Sequence, residues 1–263
     1  VDYKNQAELK ERLRYYYIAR SKADYSSDLP EHSYILHTVE LTDPQRKLLD
    51  KTNNMYAINS PRTSNPKATF TRKNSPKLDA LLSFVDKVDA DRPMIYVYNK
   101  ESQNTIKAEL EKMGYRVGML NGDCSVEEKT ETVNKFNNYE LDMLVFNIQK
   151  AINVPTSNRI LFYDVPTMPQ ETNQIKARID RNNYKDKKFY DFFIYMESPE
   201  MINLARLAYF REHHGNEFTG QVENVYGMLV KQLVNVLEDE QAEALEETFE
   251  WMYENNKEYK DID

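Results

Sequence analysis

The feature that most constrains this chain is the strict alternation that runs from Ser75 to Glu200. Met94–Tyr98, Arg116–Leu120, Asp142–Phe146, Arg159–Asp164 and Phe189–Tyr195 are short runs rich in apolar residues. Between them lie amphipathic stretches with helix-start signals: Ser75-Pro76 opens one to about Val88, Ser102 to Met113 forms the next, and Pro169 to Arg181 another. Ser125-Val-Glu-Glu128 is a capping box, with Glu three residues after Ser, and starts a helix ending near Asn137. Ser198-Pro199-Glu200 caps a further helix. Short apolar strands separated by helices must lie parallel and be covered on both faces. The expected fold is therefore α/β, a parallel sheet sandwiched by helices.

Upstream, Ala7–Ala19 has Leu9, Leu13, Tyr16 and Tyr17 at helical spacing, Ser33–Leu41 reads as a strand, and Thr42-Asp43-Pro44 starts a helix. Asn59–Asn74 is polar and proline-bearing, and reads as a linker. Residues after Gly220 are helical and amphipathic through Val225, Leu229, Leu233, Val236 and Leu237. The expected organisation is a helical and strand lead-in with linker over 1–74, the α/β lobe over 75–220, and an acidic helical extension over 221–263.

Composition narrows the setting. The 263 residues are 40% hydrophobic, enough for a core. No apolar run approaches the roughly 18–20 residues of a membrane helix, and no signal peptide opens the chain. A lone Cys124 cannot form an internal disulfide, which points to a cytoplasmic setting. The start at Val1 reads as a piece of something longer. The net charge of −8 is uneven: residues 221–263 hold 12 of the 43 acidic residues but only 3 of the 35 basic ones. Positions 1–220 are close to neutral, which neither requires nor excludes a local basic groove.

In parallel sheets ligands bind at the carboxyl ends of the strands, which here means Asn99-Lys100, Asn121-Gly122-Asp123, Asn147–Thr156 and Asp164–Pro169. The sharpest chemical pattern is Gln174-Ile-Lys-Ala-Arg178-Ile-Asp-Arg181. On a continuous helix Arg178 and Arg181 share one face, with Gln174 a turn earlier. Two guanidinium forks and an amide suit a terminal phosphate, where developing charge needs several donors. Alone, such a pair is most often a solvated helix surface.

The surroundings change that reading. Asn158-Arg-Ile-Leu-Phe-Tyr-Asp164-Val-Pro-Thr-Met-Pro169-Gln170, followed by the Gln174, Arg178, Arg181 set, resembles the late motifs of Swi/Snf-type ATPases of helicase superfamily 2. Further likenesses stand upstream in order: Leu13-Arg14 to Lys22, Leu29-Pro30, Leu41 to Leu48, Ser75-Pro-Lys77-Leu, Met94–Asn99 and Leu120-Asn-Gly122. The resemblance spans roughly residues 9–212 and implies the second, C-terminal RecA-like lobe of a double-stranded-DNA translocase. By this resemblance Arg178 and Arg181 are arginine fingers reaching an ATP-Mg held by the other lobe, and Gln174 keeps the finger helix in register. Asn153, in Ala151-Ile-Asn-Val154, would sit near the nucleotide. Asn99, Lys100, Asn121 and Lys150 would follow the DNA backbone. The expected partners are duplex DNA and the N-terminal lobe. The Asn-, Lys- and Tyr-rich composition suggests a low-GC bacterial, prophage or phage source.

Two departures from the family pattern stand out. Gln149-Lys150-Ala151 lacks the family's glycine, and Asn182-Asn183 replaces Gly-Gln after the second arginine. They motivate an alternative, a degenerate DNA-binding or protein-docking module without a catalytic contribution; an unrelated nucleotide-binding α/β enzyme is a more distant one. No Gly-Lys pair occurs in the sequence, so the chain is expected to supply half an ATP site and to be inactive alone. Asp239-Glu240 imitates a Mg-binding motif but reads as a solvated helix face. His213-His214, Cys124, Tyr15–Tyr17 and Trp251 read as structural.

Overall fold

A computed structural model describes residues 30–52, 58, 71–147, 152–166, 169–180, 186–214 and 225–237. The expected helix at Ala7–Ala19 with its tyrosines, most of the linker, Lys150, Arg181, Asn182-Asn183, Asp239-Glu240 and Trp251 lie outside these residues. The chain divides into one unit over 28–204 and another formed by 1–27 with 205–263.

The first unit is built on a six-stranded, wholly parallel sheet, matching the RecA-like α/β expectation. Its strands are β1 (His32–Val39), β2 (Met94–Tyr96), β3 (Val117–Leu120), β4 (Met143–Phe146), β5 (Arg159–Phe162) and β6 (Lys188–Tyr195), in the order β1-β6-β5-β2-β4-β3. The helices are α1 (Asp43–Thr52), α2 (Pro76–Val88), α3 (Lys100–Lys112), α4 (Val126–Asn137), α5 (Pro169–Lys176) and α6 (Pro199–His214), the last running on past residue 204. In the second unit, α7 (Val225–Val234) buries Val225, Tyr226, Leu229 and Leu233 along one stripe.

Strand periodicity sorts the core into two faces. Ile95, Val97, Val117, Met143, Val145, Leu161, Tyr163 and Phe193 join Leu78, Leu81, Leu82 and Val85 of α2 and Ile106 and Leu110 of α3 in one apolar cluster. On the opposite face the Phe162 and Phe192 rings stack 4.3 Å apart, and Tyr96 meets Phe146. There the ammonium of Lys176 in α5 bonds the Tyr34 hydroxyl and lies 5.1 Å over the Tyr190 ring.

The strand expected from Ser33 enters the same sheet as its edge, pairing along its whole length with β6. A half-buried hydrogen bond to an Arg159–Asp191 pair fastens it there. His37 Nε2 lies 2.7 Å from Asp191 Oδ1, the other Asp191 oxygen accepts from Arg159 at 2.5 Å, and Arg159 also donates to Asp91.

Two helix boundaries differ from the sequence expectation. α3 begins at Lys100 rather than Ser102, because the Asn99 side chain accepts the N–H groups of Glu101 and Ser102 as an N-cap. α5 ends at Lys176 rather than Arg181. Beyond it the chain tightens, with Arg178 N donating to Ile175 O, and the Arg178 carbonyl is taken by the N–H of Val154. Arg178 thus ties the described part of this turn to the 152–154 segment, while Arg181 lies outside the described residues.

Candidate nucleotide and nucleic-acid site

Two groups of residues meet the sequence-derived candidates. The first is centred on Arg178. Its Nε donates to the Gln174 carbonyl at 2.9 Å and its Nη1 to the Ile152 carbonyl at 3.3 Å. Val154 N donates to Arg178 O at 3.1 Å. The turn after α5 is thus laced to the 152–154 segment of the β4–β5 crossover. Asn153 between these anchors is exposed, and so is the Gln174 side chain. The Asn153 carbonyl accepts from Asn137 at the end of α4. Asn153 is therefore brought beside Gln174 and Arg178, more than twenty residues further along the chain. Chemically the group offers one half-buried guanidinium and two exposed amides, donors that suit the outer oxygens of a phosphate. Gln174 acts on Arg178 through its backbone carbonyl rather than its side chain.

The second group lies where the strand order reverses. β2 sits between β4 and β5, and the loops leaving all three converge there, the position at which open parallel sheets bind ligands. Tyr98 N donates to Asp164 Oδ2 at 2.7 Å, and Asn147 Nδ2 donates to the Tyr98 carbonyl at 3.2 Å. Asn99 caps α3. The exposed Lys100 forms an ion pair with the exposed Asp123, joining the loops after β2 and β3. Asn121 is 5% exposed and turned inward: it donates to Gln103 Oε1 and accepts from Asp123 N. Gln103, fully buried, donates in turn to the Val97 carbonyl at 2.6 Å. The Asn99 and Asn121 side chains thus hold the loops in shape from within, and Lys100 is the exposed cation between them.

Beneath this group lies a polar cluster that sequence reasoning passed over. Lys77, fully buried in the first turn of α2, pairs with Glu200 in the first turn of α6 at 2.5 Å. Its ammonium lies 4.7 Å over the Tyr163 ring and 5.5 Å over that of Tyr195. Ser75 Oγ and Tyr195 Oη are 3.0 Å apart, Gln45 donates to the same phenol at 2.9 Å, and Glu200 accepts from Tyr195 N. Burial pushes the Tyr195 phenol up to about 12, so it stays neutral. Burial likewise raises the Asp164 carboxyl to about 6, with nearby Lys77 opposing the rise and Glu200 adding to it. Tyr163-Asp164 and Ser75-Pro-Lys77 carried the family resemblance in the sequence, but a lysine in a first helical turn gives no sign there of being buried. Cys124 is partly buried, its Sγ 3.6 Å from the Met119 carbonyl. Among the described residues no cluster of His, Cys, Asp and Glu is arranged to hold a metal ion, and no helix is long and apolar enough to cross a membrane.

Part of the chain is similar to known proteins. Residues 76–183 match the model of the Helicase conserved C-terminal domain. The chain is similar to the ATP-dependent DNA helicase RecG of Staphylococcus aureus (strain Mu50), 35% identical over 71 residues, which is 26% of this chain and 10% of that protein. It is also similar to the ATP-dependent RNA helicase DeaD of Haemophilus influenzae, 26% identical over 156 residues, 53% of this chain and 24% of that protein. The chain thus spans a tenth to a quarter of the length of these two relatives. Solved structures with similarity include the C-terminal part of the Fun30 ATPase domain, with TM-score 0.48, 16% identity, and coverage of 79% of this chain and 62% of that one. The C-terminal domain of the DEAD-box protein Dbp5 has TM-score 0.45, 18% identity, and coverage of 59% and 90%.

Proposed function

We propose that this chain works as the second motor lobe of an ATP-dependent translocase on duplex DNA. The observation that carries the reading is the lacing of the Arg178 turn to Ile152–Val154 inside a segment matching the helicase C-terminal domain. A guanidinium fixed at its Nε and one Nη by backbone carbonyls is pre-aimed, and pre-aimed cations act most strongly on charge developing in a transition state.

In this reading ATP and Mg are held by an N-terminal lobe that supplies the phosphate-cradling loop. Arg178 and Arg181 meet the terminal phosphate when the lobes close, Asn153 lies beside the nucleotide, and Gln174 anchors Arg178. Lys100 and Lys150, with the loops shaped by Asn99 and Asn121, meet the sugar-phosphate backbone. Backbone contact grips a strand without reading its sequence, as stepping along DNA requires. A cytoplasmic location suits a protein with such a substrate.

The test uses the protein that carries both lobes. Duplex DNA is expected to stimulate its ATP hydrolysis, and the moving protein is expected to displace a third strand from a triplex while leaving the duplex paired. Duplex binding without stimulated hydrolysis would instead favour the docking-module reading motivated by Gln149-Lys150-Ala151 and Asn182-Asn183. Separation of the duplex strands would replace translocation by unwinding.

A further inference from the structure

Tyr98 is held by its backbone from both sides at the point where the strand order reverses. Its N–H goes to Asp164 at the end of β5, and its carbonyl receives Asn147 from the end of β4. One residue therefore joins the loops after β2, β4 and β5. Two of those connections matter to the motor. The β2 loop carries Asn99 and Lys100, whose pairing with Asp123 extends the link to the β3 loop. The β5 loop leads through α5 to Arg178.

Asp164 has a specific electrostatic setting. Lys77 approaches from α2 and favours its charge, while Glu200 approaches from α6 and opposes it. Lys77 and Glu200 are themselves paired and buried, so this surrounding charge is fixed in place. An asparagine here would accept the same N–H without carrying a charge in a poorly solvated position. The carboxylate is thus kept at an energetic cost, which a purely structural acceptor would not require.

We infer that Asp164 is a positioning residue that couples the nucleic-acid loop at Tyr98–Lys100 to the segment ending in the Arg178 turn. The inference rests on the second-lobe reading above. It assigns Asp164 no contact with nucleotide or DNA; its effect passes through the Tyr98 N–H and the β5–α5 loop.

The experiment compares the two-lobe protein with its Asp164→Asn and Asp164→Ala variants, following DNA-stimulated ATP hydrolysis from pH 5 to 8. In the unaltered protein the DNA concentration giving half-maximal stimulation should rise as the pH falls through about 6, where Asp164 gains its proton. Asp164→Asn should need about tenfold more DNA at pH 7 and lose that pH step, because a hydrogen bond to a charged group outweighs a neutral one by about that factor. Asp164→Ala should behave at least as badly. Hydrogen exchange at the Tyr98 amide, measured in the 263-residue chain, should show reduced protection in Asp164→Ala, where the acceptor is lost, and serves as a readout independent of DNA. Variants matching the unaltered protein in half-maximal DNA, pH profile and Tyr98 protection would overturn the proposal and leave the second-lobe reading standing. An unaltered two-lobe protein showing no DNA-stimulated hydrolysis would overturn both.

Discussion

The carbonyl of Arg178 accepts the N–H of Val154 at 3.1 Å, which ties the turn that follows α5 to the 152–154 segment. Arg178 adds a second tie through its guanidinium to Ile152. Because Gln174 supports Arg178 through a main-chain oxygen, Gln174→Ala leaves the Nε bond intact. Its expected effect on ATP hydrolysis in the two-lobe protein is under about tenfold, well short of the loss expected on removing an arginine finger. Steady-state phosphate release checks this.

The buried Lys77–Glu200 pair should dominate the response of the fold to mutation. Lys77→Met removes the buried ammonium that pairs with Glu200 and lies over the Tyr163 and Tyr195 rings, and is expected to cost about 3–5 kcal/mol in unfolding free energy. Lys77→Met combined with Glu200→Leu should recover much of the loss, since no lone charge remains buried. Urea denaturation of the three variants, with the midpoint and slope read separately, measures both effects.

Gly118 in β3 is required by space rather than by backbone angle. A Cβ there would lie 2.6 Å from Leu144 Cδ2 and 2.8 Å from both Leu141 Cδ1 and Thr132 Cγ2. All three atoms are side-chain ends that must shift to admit the methyl, so Gly118→Ala is expected to destabilise by about 1 kcal/mol. Thermal unfolding followed by circular dichroism tests it.

Lys100 is half exposed, and its partner Asp123 more so. Such a pair adds little to stability, whereas a phosphate contact has a distinct signature. Lys100→Ala should weaken DNA binding similarly for all sequences and reduce the slope of log affinity against log salt by about 1. Fluorescence anisotropy titrations at several salt concentrations report that slope.

Asp164 gives a pH prediction with a definite sign. Its folded-state pKa, about 6, lies above the ordinary carboxyl value, so the folded protein binds this proton more tightly than the unfolded chain. The associated stability is fully present below about pH 4 and is lost as the pH rises through about 6. At pH 7 the charged carboxylate is a net cost. Asp164→Asn should therefore raise unfolding free energy at pH 7 by about 2 kcal/mol and change it little at pH 4. A variant that is more stable yet poorer at responding to DNA separates positioning from folding.

Much of the α/β core was legible because its signals are local. Buried strands announce themselves as short apolar runs, and the Ser125–Glu128 capping box forms as its spacing requires. The ends of α3 and α5 were less legible. Asn99 looks like a loop residue until its side chain is seen to cap α3, and nothing in Gln174–Arg181 shows that Val154 will claim the Arg178 carbonyl. The placement of β1 beside β6 depends on contacts such as His37–Asp191, between residues distant in sequence. Gln103, Lys77 and Glu200 sit at helical positions that read equally well as solvent-facing, and only the packing of α2, α3 and α6 against the strand ends reveals them as buried. The candidate site was thus readable as a set of loops and one arginine motif. Its internal wiring was not.

The most direct measurement is ATP binding and turnover by the two-lobe protein carrying Arg178→Ala. If Arg178 acts on the transition state, kcat should fall about a thousandfold or more while ATP affinity changes only a few-fold. Turnover that stays within a few-fold of the unaltered protein, with DNA stimulation intact, would contradict the account.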